Sequence, residues 1–335
     1  MSDTAALNSA SPLGGPRPWH RGLLGRQFVP ILATLAVFLA LYAGASIRYD
    51  NFLTLRVLSN LVRGNAMIGI TAIGMTFVIL SGGIDLSVGA MIGFVSIAIA
   101  VLIEKAGLHP LLAIPIVLMV GTLFGLGQGL LVAGFALPPF LVTLAGLFLL
   151  QGAGLLVSRE SIGIGHPLYE SIADFSFDVF PIPTLIFALV VIAAIWTAHQ
   201  TRFGRHVYAV GGNEQSALFM GVAVARTKVL VYAISGFCAA LAGVVSTFDI
   251  PSGEARRGTT LELDAIAAVV IGGTLLTGGS GYVVGTLVGV LILGVIQTIL
   301  SFEGTLDSYT QRVVVGGLLL AFILLQKLIQ RRAGA

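Results

Sequence analysis

Asp85, in the segment SGGIDLSVG (81–89), is an acid placed between two long apolar runs. A carboxylate at depth in an apolar segment is costly unless paired, which makes it a candidate contact for a polar ligand. With two glycines behind it and Leu-Ser ahead, the same residue suits an N-cap that accepts backbone N–H bonds at the start of a helix, and the sharp glycine turn favours that role. Its neighbours Ser81 and Ser87 join the uncharged groups Asn65, Thr71, Gln128, Thr143, Gln151, Thr274 and Gln297 as candidate substrate-path residues. Such groups commonly bond helix to helix. A neutral polar lining also suits a sugar better than an ion, which wants charged or carbonyl-rich sites. Glu262 and Asp264, in LELDAIAAVVIGG, repeat the choice between cap and contact at another helix start, where the helix dipole stabilises acids.

Covalent machinery is absent from the pattern. Glycine is nowhere followed by lysine, so there is no G-x-x-x-x-G-K-[ST] phosphate loop, and the chain is not expected to hydrolyse ATP. His20, His109, His166, His199 and His206 show no metal-ligand spacing, and no G-x-S-x-G or H-E-x-x-H occurs. The lone cysteine, Cys238, lies in the apolar run 229–245 and reads as a small core residue. No catalytic residue, metal or cofactor is expected, which makes a membrane-embedded enzyme the weaker class.

The elements that must hold these residues are membrane helices. Of 335 residues, 56% are hydrophobic and 10% charged, against about 45–50% and about 25% in a soluble domain. The mean hydropathy is +1.00. In lipid, backbone groups must pair internally, and runs this long and uniformly apolar suit helices rather than alternating barrel strands. The expectation is an all-α polytopic bundle of about ten spans: Phe28 to Ser46, Gly64 to Leu80, Leu86 to Ile103, Leu111 to Gly134, Phe140 to Val157, Ile182 to His199, Val229 to Phe248, Leu263 to Leu276, Val283 to Leu300 and Val313 to Leu325. The eighth is short enough to be a broken or re-entrant segment. Residues 1–27 form a retained N-terminal tail, 28–326 the membrane domain and 327–335 a C-terminal tail.

An even number of spans puts both termini on one side. Arg17, Arg21 and Arg26, then Arg202, Arg205, Arg226 and Lys228, then Lys327, Arg331 and Arg332 fall together there, ten of the 18 basic residues. Glu160, Glu170, Asp174, Asp178, Asp249, Glu254, Glu303 and Asp307 fall opposite. The positive-inside rule makes the basic side cytoplasmic, with Arg256 and Arg257 as exceptions. In the inner loop 200–228, Asn213 is placed to cap a short helix that runs through Met220 and ends near Gly221, a surface handle for a partner protein. The outer loop, Ser158 to Pro181, is either a docking cap or a polar connector. Ser81 to Gly93 also echoes Thr277 to Gly289, matching five positions that include Gly82 with Gly278 and Gly83 with Gly279.

GMTFVILSGGIDLSVGAMIGF (74–94), RFGRHVYAVGGNEQSALFMGV (202–222) and LELDAIAAVVIGGTLLTGGSGYVVGTLVGVLI (261–292) resemble the permease subunits of bacterial ribose-type monosaccharide ABC importers. Within that family, FVILSGGIDLSVG, SRESIGIGHPLYE and IQTILSFEGTL look like a galactofuranose-importer permease. The resemblance implies an inner-membrane subunit working by alternating access. Its implied partners are a cytoplasmic ABC ATPase that uses ATP and Mg, a periplasmic sugar-binding protein, and a second permease chain that is a different protein. Sugar and lipid are its implied surroundings, with no nucleic acid. It also implies that Ala209, Gly211, Gly212, Asn213, Glu214, Ala217 and Gly221 belong to a coupling helix docking on the ATPase. Ribose, xylose or another sugar, and less readily an ion-coupled secondary transporter starting from Asp85, are the alternatives.

Overall fold

The computed structural model describes residues 29–303, together with 313–317, 319–321 and 324. Both tails lie outside the described residues, and the last expected span falls only partly within them. In chain order the elements are α1 (Val29–Arg48), α2 (Leu55–Gly64), α3 (Ala66–Leu80), α4 (Val88–Ala100, continued by a π turn at Val101–Lys105), α5 (Pro110–Gly134) and α6 (Pro139–Val157). Next come β1 (Ile162–Gly163), α7 (Pro167–Ala173), β2 (Ser176–Phe177), β3 (Phe180–Pro181), α8 (Ile182–Gln200), α9 (Arg202–Gly212), α10 (Glu214–Phe219), α11 (Val224–Asp249), β4 (Ser252–Gly253), α12 (Leu261–Ile271) and α13 (Val283–Glu303). The strands form two small antiparallel pairs, β1 with β4 and β2 with β3.

Ten spans were expected. Among the described residues seven helices are long and apolar enough to cross a bilayer, or eight if α2 and α3, bent by 56° at Asn65, count as one. The segment expected as the eighth span, and as a candidate for a broken or re-entrant one, is too short to cross as a single helix. α12 has 11 residues, a reach of about 16 Å against a hydrocarbon core of about 30 Å.

The stretch before α12 threads back along α4 instead. Gly253 packs on Ser96 and Ala100, Gly258 lies against Gly89 and Ile92, and the Ser96 hydroxyl bonds the Glu254 carbonyl at 2.8 Å. Arg257 donates to the Ser246 carbonyl at 2.8 Å and to Ser252 Oγ at 2.9 Å. Irregular backbone at membrane depth is tolerated only when buried in protein like this.

α3 is apolar all round and sits at the centre, with all but Met67 of its residues buried. α5 crosses α11 closely through Gly121, Gly125 and Gly129, where a Cβ at Gly125 would strike the Tyr232 carbonyl. The outward faces of α5, α6 and α8 expose Leu123, Phe148, Leu189 and Trp196, as a lipid-facing surface does. α3 and α12 end together beside α9, and α4 and α13 start there. The echoed segments therefore enter the bundle at the same end and in the same direction.

Candidate functional site

The break between α3 and α4 gathers half of the expected path residues. Ser81 closes α3, its hydroxyl bonded to the Val78 carbonyl at 2.8 Å, and Gly82 turns the chain with φ +83°. Asp85 is 1% exposed. Its Oδ1 accepts from Ser87 N at 2.9 Å and Ser87 Oγ at 2.6 Å, and its Oδ2 accepts from Ser235 Oγ of α11 at 2.7 Å. The bond from Ser87 N is an Asx turn leading into α4, whose N-cap is Ser87 rather than the expected Asp85 and carries no side-chain cap bond. The bond from Ser235 pins that start to the longest helix of the bundle.

Gln128 of α5 completes the cluster, its side-chain oxygen standing 3.2 Å from Ser87 Oγ. Ser87 has one hydroxyl proton, and the 2.6 Å bond to Asp85 takes it. Amide oxygen and nitrogen are interchangeable in such a placement, so the coherent network turns the Gln128 amino group toward Ser87. Thr143 of α6 is buried and donates toward the Pro139 and Ile84 carbonyls, closing the cluster from that side.

The other path candidates lie elsewhere. Asn65 sits at the α2–α3 bend and donates to Leu61, and Thr71 bonds the Met67 carbonyl one turn back in its own helix. Gln151 borders a small cavity of about 80 Å³ with Glu262, Gly89 and Arg257. Thr274 is buried beside Gly281 in the turn after α12, and Gln297 is half-buried in α13.

The inner loop is two helices rather than one. Thr201 caps α9, and Asn213 caps α10 by accepting from Ser216 N at 2.8 Å. α10 ends at Phe219, with Met220 as its C-cap and Gly221 in the left-handed region at φ +81°. Ala217, buried, joins Val210 and Val224 in a small separate core with Ala209 against it, and Glu214 pairs with Lys228 at 2.7 Å. Leu218, Phe219 and Met220 are 61%, 87% and 72% exposed.

Three glycine turns meet beneath this loop. Gly279 N donates to the Leu80 carbonyl at 2.9 Å, and Gly211 is so close to the same carbonyl that any Cβ would collide with it. Gly212 packs on Gly279, and Gly278 on Gly82. Tyr208 donates to the Gly281 carbonyl at 2.8 Å, and burial pushes its phenol above the ordinary range, so it remains a donor through neutral pH. The end of α9 is thus wedged between the two echoed turns.

The structure adds three residues to the sequence reading. Tyr232, whose buried hydroxyl has no hydrogen-bond partner among the described residues, lies against Gly83. Together with Lys228 and Ser235 it forms a polar stripe at i, i+4 and i+7 on α11, the signal that marks one helical face.

The family model described as the permease component of branched-chain amino acid transport systems matches residues 57–323. The inner membrane ABC transporter permease protein YjfF of Escherichia coli K12 is 46% identical over 307 residues, covering 90% of this chain and 93% of that protein. The ribose import permease protein RbsC of Bacillus subtilis 168 is 39% identical over 312 residues, covering 90% and 95%. The fructose import permease protein FruG of Bifidobacterium longum is 35% identical over 327 residues, covering 93% and 94%. No solved structure matches the chain significantly.

Proposed function

Since this chain belongs to the family of permease components of the branched-chain amino acid transport type, we propose that it is the membrane-spanning subunit of an inner-membrane ABC importer for a monosaccharide. Among the relatives that it matches along nearly their whole length, several carry ribose, fructose or allose in their names. Galactofuranose is the sugar we favour, on the resemblance carried by FVILSGGIDLSVG, SRESIGIGHPLYE and IQTILSFEGTL. The partners are a cytoplasmic ATPase, a periplasmic sugar-binding protein and a second, different permease chain.

The observation that carries this reading is the apolar tip Leu218–Met220, exposed on the capped helix α10, which follows directly on the end of α9 wedged between the α3–α4 and α12–α13 turns. A bare membrane channel has no use for such a handle, whereas a subunit that receives work from a soluble motor needs one. Closure of the ATPases draws on α10, and the glycine junction passes that displacement to both turns. The bundle then alternates between outward-open and inward-open packings, two discrete arrangements biased by ligand and nucleotide.

Deleting Gly212 to Gly221 is expected to leave membrane insertion intact and abolish co-purification of the ATPase; recovery at the normal stoichiometry would overturn the coupling role. Sugar identity is settled by purifying the cognate binding protein and measuring galactofuranose against ribose and xylose. A preference for a pentose there would replace galactofuranose while leaving the importer reading in place. Uptake that survives loss of the ATPase but collapses with the proton gradient would instead favour an ion-coupled carrier built around Asp85.

A further inference from the structure

At the outer end of α6 two arginines stand together without a counter-charge of their own. Arg159, two residues past the helix end, and Arg256, in the stretch folded back along α4, line one open cavity of about 510 Å³ with Gly152, Leu155, Leu156 and Glu254. Both arginines are exposed, and neither forms an ion pair with a described residue. By contrast Arg48, Arg63 and Arg257 at the same end are met by Glu303, Asp249 and the carbonyls at the end of α11.

Among the described residues Glu254 is the one acid on the cavity wall, and it also acts on Arg257. The mouth of the cavity therefore carries two positive charges against a single negative charge that it shares. Like charges gathered in this way attract an anion, and the balance suits one that carries a single charge.

The floor of the cavity narrows the kind of anion. α6 places Phe148, Gly152 and Leu156 at i, i+4 and i+8, on one face of the helix. Leu156 is 86% exposed, Phe148 is exposed too, and a Cβ at Gly152 would meet nothing within 4 Å. From Phe148 to the end of the helix at Val157 is about 14 Å, close to one leaflet of a hydrocarbon core about 30 Å thick. Gly154, one turn before that end, lies against Ala255, which holds Arg256 at the level where the apolar stripe stops. A soluble anion could use the arginines but not the stripe beneath them. A phospholipid uses both, with its chains along the stripe and its phosphate between guanidiniums whose forked N–H groups match phosphate oxygens.

We infer that this groove binds an anionic phospholipid of the outer leaflet, Arg159 and Arg256 holding its phosphodiester and the stripe from Phe148 to Leu156 its acyl chains. The site lies at the opposite end of the molecule from α10 and goes beyond the importer reading.

The test uses the assembled importer purified in a mild detergent, with bound lipid counted by native mass spectrometry and the melting temperature followed during titration. Short-chain phosphatidylglycerol is expected to bind about fivefold more tightly than phosphatidylcholine of the same chain length, the preference that one net positive charge gives at a membrane surface. Arg159→Gln and Arg256→Gln are each expected to remove most of that preference, so either suffices if the other fails to assemble. Arg56 is also exposed but lies outside the cavity, and Arg56→Gln is expected to keep the preference. Equal binding of the two lipids by the unsubstituted importer overturns the site. A loss in Arg56→Gln as large as in the other two overturns it as well, by reducing the effect to diffuse charge. If sn-glycerol 3-phosphate stabilises the importer as well as phosphatidylglycerol does, with the same dependence on both arginines, the groove takes a soluble phosphate and the lipid assignment falls. A preference untouched by Arg159→Gln and Arg256→Gln, beside weaker capture of the sugar-binding protein by those variants, gives the groove to that partner instead.

Discussion

Tyr232 and Asp85 are both buried, yet removing their polar atoms should have opposite effects on stability. The Tyr232 hydroxyl has no partner among the described residues, so the folded state gains nothing from it in return for its lost hydration. Tyr232→Phe is expected to hold or raise thermal stability in detergent, by up to about 1 kcal/mol; a lower melting temperature would mean that the hydroxyl is structural. Asp85 is the reverse case, because Ser87 N, Ser87 Oγ and Ser235 Oγ all donate to it. Asp85→Ala strands those donors at about 1–3 kcal/mol for a buried group left unsatisfied. Asp85→Asn keeps one acceptor for Ser87 N and should melt between wild type and Asp85→Ala. Asp85, Ser87 and Gln128 were visible in the sequence because they interrupt apolar runs. Tyr232 and Ser235 were not, since an aromatic and a small hydroxyl inside an apolar run read as ordinary core; only their spacing from Lys228 gives them away.

Glycine decides how closely the elements pack, and the structure separates glycines that hold two helices together from those that merely tolerate a place in one. A Cβ at Gly125 would strike the Tyr232 carbonyl of α11, whereas one at Gly127, two residues on, meets nothing within 4 Å. Gly125→Ala is accordingly expected to destabilise by about 1–3 kcal/mol through overpacking. Gly127→Ala should stabilise by about 0.5–1 kcal/mol through helix propensity. Thermal melts of the two variants with the same sign would refute the α5–α11 contact. The same contrast tests the junction below α10. Gly211→Ala drives a methyl into the Leu80 carbonyl and should uncouple ATP hydrolysis from uptake, whereas Gly212→Ala, with open space at its own Cβ, should uncouple it less. Hydropathy could not reveal that α12 stops halfway, because burial in protein and burial in lipid select the same apolar residues. What marked it was length; the charged stretch Ser252–Thr260, expected in an outside loop, is folded back along α4.

At the scale of the whole molecule, the charge asymmetry read from the sequence becomes sharper once side-chain partners are known. Arg202, Arg205, Arg226 and Lys228 lie at the α9–α10 end, while Glu160, Glu170, Asp174 and Asp178 lie around α7 and the β2–β3 pair at the other. Three arginines away from the α9–α10 end are held by groups of the protein itself. Arg63 pairs with Asp249 at 2.7 Å, Arg48 with Glu303 at 3.1 Å, and Arg257 is taken up by carbonyls at the end of α11. Among the described residues the α9–α10 end carries Arg202, Arg205, Arg226 and Lys228 against Glu214, whereas at the other end acids outnumber bases, so the net positive charge falls at the α10 end, which the positive-inside rule expects at the cytoplasm. The consequence is a topology that can be read directly. In a Cys238→Ala background, a cysteine at Ser216 should react with an impermeant thiol reagent only in inside-out vesicles, and one at Glu160 only in intact spheroplasts. The converse pattern would invert the molecule, place α10 where no ATPase can reach it, and remove the physical basis for coupling at the glycine junction.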